Sequence, residues 1–376
     1  MKNRIGIVGG GQLGKMMAVE AKKMGFYVVI LDPTPHSPAS HVADEQIVAD
    51  YNDEKAIIKM AQQSDYLTFE IENTNGQFLD ELGKKVECII SPSGKSWRLF
   101  QDKLEQKYLF RKGNLPSPEF VPVKDKKDIE KAAKKFGFPF LLKARFDAYD
   151  GKGNALVKNK KDIHEAWKRF AGKKLYAEAY VSFEKELAIM VARNTKGDII
   201  SYPVVETVQK KNICHFVLVP AAISQVARKR AINLAIKTMK LLKGAGVFGI
   251  EMFKTKDDKI LLNEIAPRVH NSGHYTIEAC ITSQFEQHIR AICGLPLGDT
   301  TLKVPAAVMI NILGERFGDA NVEGMEKALA IPNVTVHLYG KKQTKVERKM
   351  GHITVIDKSI VSAYDKAIRA RKFITI

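Results

Sequence analysis

The sequence predicts an α/β and α+β protein in three parts: an N-terminal parallel α/β domain, a small lid subdomain and a C-terminal mixed-sheet domain. Three observations carry this expectation. Strand and helix patterns alternate through residues 1 to about 97. A glycine-rich turn, Gly9-Gly10-Gly11-Gln12-Leu13-Gly14, joins the first strand to the first helix. Further along, Glu251 and Glu264 fall on the two arms of a hairpin pattern.

At 376 residues the chain is too long for one ordinary core. The predicted boundaries are 1–97 for the N-terminal domain, 98–297 for a central region carrying the lid at about 121–185, and 298–376 for a domain packing on that region. In the first part, Arg4–Val8, Tyr27–Leu31, Tyr66–Phe69 and Cys88–Ile90 are short apolar runs, as expected of parallel strands covered on both faces. Between them Leu13–Met24, Glu54–Gln63 and Phe78–Lys84 repeat apolar residues at helical spacing. A helix is predicted over roughly Ser96–Lys112, stopped by Asn114-Leu-Pro-Ser-Pro. The lid has strands at Phe140–Ala144, Asn154–Val157 and Leu175–Tyr180 and helices at Asp128–Phe136 and Lys161–Phe170. Residues 186–300 read as a mixed sheet with helices Gln225–Leu242 and Ser283–Ile292, and the tail as strands Thr335–Tyr339 and His352–Val355 with a final helix.

Composition narrows the function. With 45% hydrophobic and 27% charged residues the chain is globular. No stretch approaches the ~20 apolar residues that span a bilayer, so no membrane association and a cytoplasmic location are expected. Cys88, Cys214, Cys280 and Cys293 are scattered without a CxxC pair, which points to reduced thiols rather than a disulfide framework or a cysteine zinc site. The net charge of +18 suits either nucleic acid or anionic small molecules. Many lysines, such as those of Lys126–Lys135, lie on solvated helix faces, and no nucleic-acid recognition signature is present. The expected partners are therefore small anions, not nucleic acid.

The hairpin carries the sharpest chemistry. With Asp257-Asp258 as a two-residue turn, Lys256 pairs with Lys259 and the ladder brings Glu251 opposite Glu264. Like charges so placed are destabilising. Apolar neighbours such as Ile250, Met252, Leu262 and Ile265 imply partial burial, so the pair calls for a hard cation, magnesium or calcium. The Gly9–Gly14 turn fits the dinucleotide fingerprint, with Asp32 closing the second strand, and supports a nicotinamide-dependent oxidoreductase; it equally suits any phosphate at a helix N-terminus. A second glycine loop, Tyr149-Asp150-Gly151-Lys152-Gly153, follows the strand bearing Lys143 and suits closure over a polyphosphate. A third cluster, Arg268, His270 and Asn271, lies just beyond Glu264 and could bind a small oxyanion.

Together these segments resemble the ATP-grasp enzymes, and most closely the 5-(carboxyamino)imidazole ribonucleotide synthase family. The specific segments are GGGQLGKMM (9–17), FEIEN (69–73), AYDGKGN (148–154), EAYV (178–181), LLNEIAPRVHNSGHYTIEACITSQFEQHIRAICGLPLG (261–298) and YGKKQTKVERKMGHIT (339–354). The resemblance implies an ATP-grasp fold and a ligase of purine biosynthesis, in which ATP and bicarbonate form carboxyphosphate and the amine of 5-aminoimidazole ribonucleotide captures the carboxyl group. It implies ATP contacts at Lys103, Lys143, the Tyr149–Gly153 loop, Glu178, Ala179, Tyr180, Val181, Glu186, Gln209, Asn263 and Glu264, with Glu251 and Glu264 on two magnesium ions. Lys103 stands where the family usually has arginine, and Gln209 where bacterial relatives have histidine. The ribonucleotide is expected at Gln12, Leu13, Glu72, Lys341, Arg348 and Lys349, with Lys345 nearby, and bicarbonate or carboxyphosphate at Arg268, His270 and Asn271. A homodimer and a separate mutase acting on the product are also implied. A formate-using glycinamide ribonucleotide transformylase of the same framework is the alternative.

Overall fold

The computed structural model describes residues 3–146 and 153–376. The loop residues Tyr149, Asp150, Gly151 and Lys152 therefore lie outside the described residues.

Five parallel strands form the N-terminal sheet, in the order Glu45–Ile47, Tyr27–Leu31, Arg4–Val8, Tyr66–Phe69, Ile89–Ile90. The central three are wholly or largely buried, which is why they appear in the sequence as unbroken apolar runs. No strand is predicted over Glu45–Ile47, whose polar sequence and half-buried edge position leave no such run. The helix expected over Ser96–Lys112 is two helices, Gly94–Gln101 and Lys103–Lys112. Asp102 breaks it. Its backbone is extended, and its carboxylate accepts from the Leu104 N–H at 3.0 Å and from Arg145 Nε at 2.9 Å. A cap worth about 1 kcal/mol together with a charged pair outweighs the continuity of one helix.

The lid is a four-stranded antiparallel sheet, ordered Phe120–Val123, Leu175–Ala179, Phe140–Ala144, Asn154–Val157. Helices Lys126–Phe136 and Asp162–Arg169 close a separate core of Ile129, Phe140, Leu142, Val157 and Phe170.

The largest sheet runs Ile260–Ala266, Gly246–Lys254, Lys185–Arg193, Val205–Lys210, Ile213–Val219, Ala306–Leu313, Lys349–Asp357, Val334–Leu338, with Ile199–Ser201 paired to Lys185–Arg193. Its described pairings are all antiparallel, not mixed. Strand Lys185–Arg193 shows how the layers join. Leu187, Ile189 and Val191 face helix Gln225–Leu242, whereas Ala188, Met190 and Ala192 share a core with Met17 and Ala18 of the N-terminal domain and Phe285 of helix Gln284–Ile292. The strands beyond residue 298 extend this same sheet, and helix Ile360–Phe373 covers them through Ala363, Ala367 and Ala370.

The acidic hairpin reaches its expected pairing by an unexpected route. The turn is not the two residues Asp257-Asp258 but the loop Thr255–Lys259, with the Thr255 N–H on the Lys259 carbonyl and Asp258 at φ 58°. Lys254 therefore pairs with Ile260, one residue out of the expected register. A bulge beyond Met252 and Leu262 adds Asn263 to one strand and restores Glu251 opposite Glu264.

Candidate active site

The bulge concentrates oxygen ligands on one side of the hairpin. Burial, and then the facing Glu264 and nearby Glu186, push the Glu251 carboxyl up to about 7, and Lys103 and Lys349 offset only part of this. Glu264 differs. Burial would raise it too, but Lys103 Nζ lies 2.7 Å from its Oε2 and, with Lys143 and Lys107, holds it below the ordinary range. Glu251 has neutral neighbours: Asn263 Nδ2 at 3.4 Å and His270 Nε2 at 3.7 Å. His270 is pushed down to about 3 by burial, then by Arg268 and Lys349, so it is an uncharged imidazole at neutral pH. Two opposed carboxylates, of which one is fully compensated and the other is not, form an all-oxygen set that fits a hard divalent cation such as magnesium.

Behind this pair lies a buried clamp. Glu178, on strand Leu175–Ala179, sits between Lys143 Nζ at 2.9 Å and Lys107 Nζ at 2.6 Å. Lys107 also donates to the Asn263 carbonyl at 3.0 Å, so one ammonium ties helix Lys103–Lys112, the lid and the bulge together. Burial would raise Glu178, but the two ammoniums hold it low; burial lowers Lys107, whereas Glu178 outweighs burial at Lys143 and holds it high. Glu178, expected at the adenine edge, thus turns its carboxylate onto the two lysines, with Ala179, Tyr180 and Val181 following. Lys107 escapes sequence reasoning although it left a signal: with Leu104 and Phe110 it falls on the buried face of its helix, an unusual place for lysine. Glu186 is raised by burial and hydrogen-bonded by Gln209, which gives Gln209 a structural partner.

The glycine loop is the second surprise. Glu70, just past strand Tyr66–Phe69, points into it and accepts from the Gly11 N–H at 2.5 Å and the Leu13 N–H at 3.1 Å. A carboxylate of the chain itself therefore fills the helix N-terminus where a pyrophosphate would bind. Asp32, the acidic residue that completes the fingerprint, accepts from the Gly10 N–H at 2.8 Å and the Tyr51 hydroxyl at 2.9 Å. A Cβ at Gly11 would lie 2.4 Å from Glu70 Oε1, and one at Gly14 2.2 Å from the Gly9 carbonyl oxygen. The glycines serve this internal contact, and the dinucleotide reading falls with it. Glu70 also escapes prediction, since nothing in FEIEN separates a loop-filling carboxylate from a ligand-facing one.

Arg268 and Glu72 meet at 2.9 Å, and burial raises Glu72 against the pull of Arg268, with Glu264 adding to the rise. His270 Nδ1 is 2.8 Å from the Ser272 hydroxyl, which leaves Nε2 facing Glu251. Asn271 and Asn311 exchange two hydrogen bonds, at 3.0 and 2.7 Å, so the Asn271 amide is held against strand Ala306–Leu313. Lys341, pushed down to about 8 by burial and then by Arg348, donates to the Lys349 carbonyl at 2.8 Å and is drawn the other way by Glu70. Arg348 donates to the Gln343 carbonyl at 2.7 Å, and the Lys345 carbonyl receives the Arg348 N–H at 3.0 Å. Lys15, on the helix that Gln12 and Leu13 open, donates to the Tyr339 carbonyl at 3.2 Å, which brings the N-terminal loop against the Lys341 strand connection. Carboxylates, ammoniums and a neutral imidazole from the three larger sheets thus converge on one face.

Residues 1–101 match the ribonucleotide synthetase preATP-grasp domain, 108–285 the ATP-grasp domain and 307–366 the phosphoribosylaminoimidazole carboxylase C-terminal domain. Fold and site together define an ATP-grasp ligase. The chain is 39% identical over 352 residues to the N5-carboxyaminoimidazole ribonucleotide synthase of Bacillus subtilis, covering 93% of this chain and 90% of that protein. The crystal structure of N5-carboxyaminoimidazole ribonucleotide synthetase from Thermotoga maritima matches with TM-score 0.91 and 50% identity over 99% of each chain. That of the Aspergillus clavatus synthase in complex with ADP and 5-aminoimidazole ribonucleotide matches with TM-score 0.90 and 36% identity over 99% and 98%. The chain belongs to the N5-carboxyaminoimidazole ribonucleotide synthase family. It spans about two thirds of the length of the fungal and plant carboxylases it matches.

Proposed function

We propose that the protein carboxylates the exocyclic amine of 5-aminoimidazole ribonucleotide at the expense of ATP and bicarbonate, releasing N5-carboxyaminoimidazole ribonucleotide, ADP and phosphate. The observation that carries this reading is the meeting of the opposed carboxylates with Lys103, Arg268 and neutral His270. Polyphosphate, small anion and amine each find a matching group there. The relatives compared carry aminoimidazole names, which favours this substrate over glycinamide ribonucleotide and formate.

Glu251 and Glu264, with Asn263, would hold two magnesium ions, which would neutralise phosphate charge during the transfer. Lys143 and Lys103 bind the transferred phosphoryl group and the Tyr149–Gly153 loop covers it. Lys103 delivers a point charge where an arginine fork would bind two oxygens. Ala179, Tyr180 and Val181, beside Glu178, border the adenine, and Glu186, braced by Gln209, takes the ribose hydroxyls. Arg268, held by Glu72, orients bicarbonate for attack on the γ-phosphorus and offsets charge growing on its oxygens. Neutral His270 donates or accepts a hydrogen bond there without repelling Arg268, and Asn271, fixed by Asn311, shapes the seat. Closing the lid keeps water from carboxyphosphate, which decomposes in it. The ribonucleotide lies along Gln12 and Leu13, beside Glu72, with its phosphate on Lys341, Arg348 and Lys349 and with Lys345 near them. This holds its amine within reach of the activated carboxyl.

Among the described residues no helix is long and apolar enough to cross a membrane. In our reading the enzyme is a cytoplasmic homodimer whose product passes to a mutase. The direct test is ADP release with aminoimidazole ribonucleotide plus bicarbonate against glycinamide ribonucleotide plus formate. Release with the first pair alone is expected, and release with the second pair alone overturns the assignment.

A further inference from the structure

A second cluster of ligating side chains lies outside this chemistry. His337 and His352 stand directly opposite each other on strands Val334–Leu338 and Lys349–Asp357, their rings 4.4 Å apart and 14° from parallel. Glu278, in the short helix Thr276–Ala279, reaches them from the side, its Oε1 2.6 Å from His337 Nε2. One ligand atom from each of the three lies within 4.8 Å of the other two. His352 is fully buried, and its Nδ1 lies 3.1 Å from the Tyr339 hydroxyl while its Nε2 has no hydrogen-bond partner. Glu278 Oε2 is likewise buried without a partner. The adjacent His274 ring, 4.8 Å from that of His352, also leaves Nε2 unpartnered. Buried polar atoms are nearly always hydrogen-bonded, so several such atoms of ligating type at one place call for an occupant.

We propose that Glu278, His337 and His352 bind a divalent transition-metal ion of the zinc type, at a site distinct from the Glu251–Glu264 pair. Two imidazoles and one carboxylate form the mixed nitrogen and oxygen set that zinc takes, in contrast to the all-oxygen set suited to magnesium. Tyr339 on Nδ1 of His352 is the outer partner that fixes which nitrogen faces the ion. The two rings tilt toward each other to close the site, and the His337–Glu278 hydrogen bond gives way to coordination.

The consequence reaches the active site. Asn311 pairs with His352 across the sheet and holds Asn271 with its amide, so the row Asn271, Asn311, His352, His337 is continuous. An ion on Glu278 would fasten the segment carrying His270 and Asn271 to the strands that lead to Lys341 and Lys349.

The test is zinc titration of the EDTA-stripped full-length protein against a chromophoric chelator, with cobalt(II) absorption as a second readout. One equivalent is expected in the wild type and in Glu251→Gln, and none in His337→Gln or Glu278→Gln. Absence of the equivalent from the wild type, its retention in His337→Gln, or its loss in Glu251→Gln overturns the proposal. Should both cluster variants unfold, the wild-type cobalt spectrum decides: strong tetrahedral bands support the site, and weak octahedral bands overturn it.

Discussion

Glu251→Gln should stabilise the metal-free protein at alkaline pH while abolishing ATP turnover. In the fold the Glu251 carboxyl rises from 4.5 to about 7 because it is partly withdrawn from water and faces Glu264. An acid raised on folding prefers its neutral form there, so its ionisation opposes folding. Below 4.5 both states are neutral and the cost is absent; it grows as pH rises through the interval and is complete above about 7. The gap between 4.5 and about 7, at about 1.4 kcal/mol per pH unit, sets a ceiling of about 3 kcal/mol. The side chain is 35% exposed, and solvent screening reduces the expected effect to about 1–2 kcal/mol. Glutamine is neutral at every pH and keeps an oxygen for the Asn263 amide. Urea unfolding in EDTA-containing buffer at pH 5 and pH 8 reads the difference. The variant should exceed the wild type at pH 8 and nearly match it at pH 5. Equal stability at pH 8, or the same gap at both pH values, would refute the reasoning.

Three further outcomes follow from the same geometry. Glu178→Gln leaves the buried Lys107 and Lys143 ammoniums facing each other with no carboxylate between them and should cost about 3–5 kcal/mol in urea unfolding, whereas a loss below about 1 kcal/mol contradicts the clamp. Lys341→Ala should raise the ribonucleotide KM at least tenfold with kcat little changed; because the wild-type ammonium titrates near 8, wild-type KM should climb above that pH and the variant's should not. Arg268→Lys should impair bicarbonate-dependent turnover more than ATP binding measured by calorimetry, and equal losses would remove its assigned role.

The parallel strands were legible because burial on both faces writes itself as an apolar run, so Arg4–Val8, Tyr27–Leu31 and Tyr66–Phe69 emerge with their observed bounds. Asp102 is harder to read. A single acidic residue inside a helical pattern becomes a break because it caps the second helix through the Leu104 N–H and because Arg145, far along the chain, binds it. The pairing of Glu251 with Glu264 was legible through two departures that cancel: a five-residue loop shifts the register and the bulge at Asn263 shifts it back. Neither is encoded by hydrophobic alternation, which fixes faces but not insertions. Glu70 and Lys107 acquire their roles wholly from tertiary contacts, the first by occupying a helix N-terminus and the second by meeting Glu178 and the bulge carbonyl.

The central claim is that ATP phosphorylates bicarbonate at the junction of the acidic pair with Arg268 and His270. Turnover with ¹⁸O-labelled bicarbonate and unlabelled ATP, followed by mass analysis of the released phosphate, addresses it directly, because the attacking oxygen leaves with phosphorus when carboxyphosphate gives up its carboxyl group. One labelled oxygen per phosphate is the expected result. Unlabelled phosphate formed alongside carboxylated ribonucleotide would contradict the account.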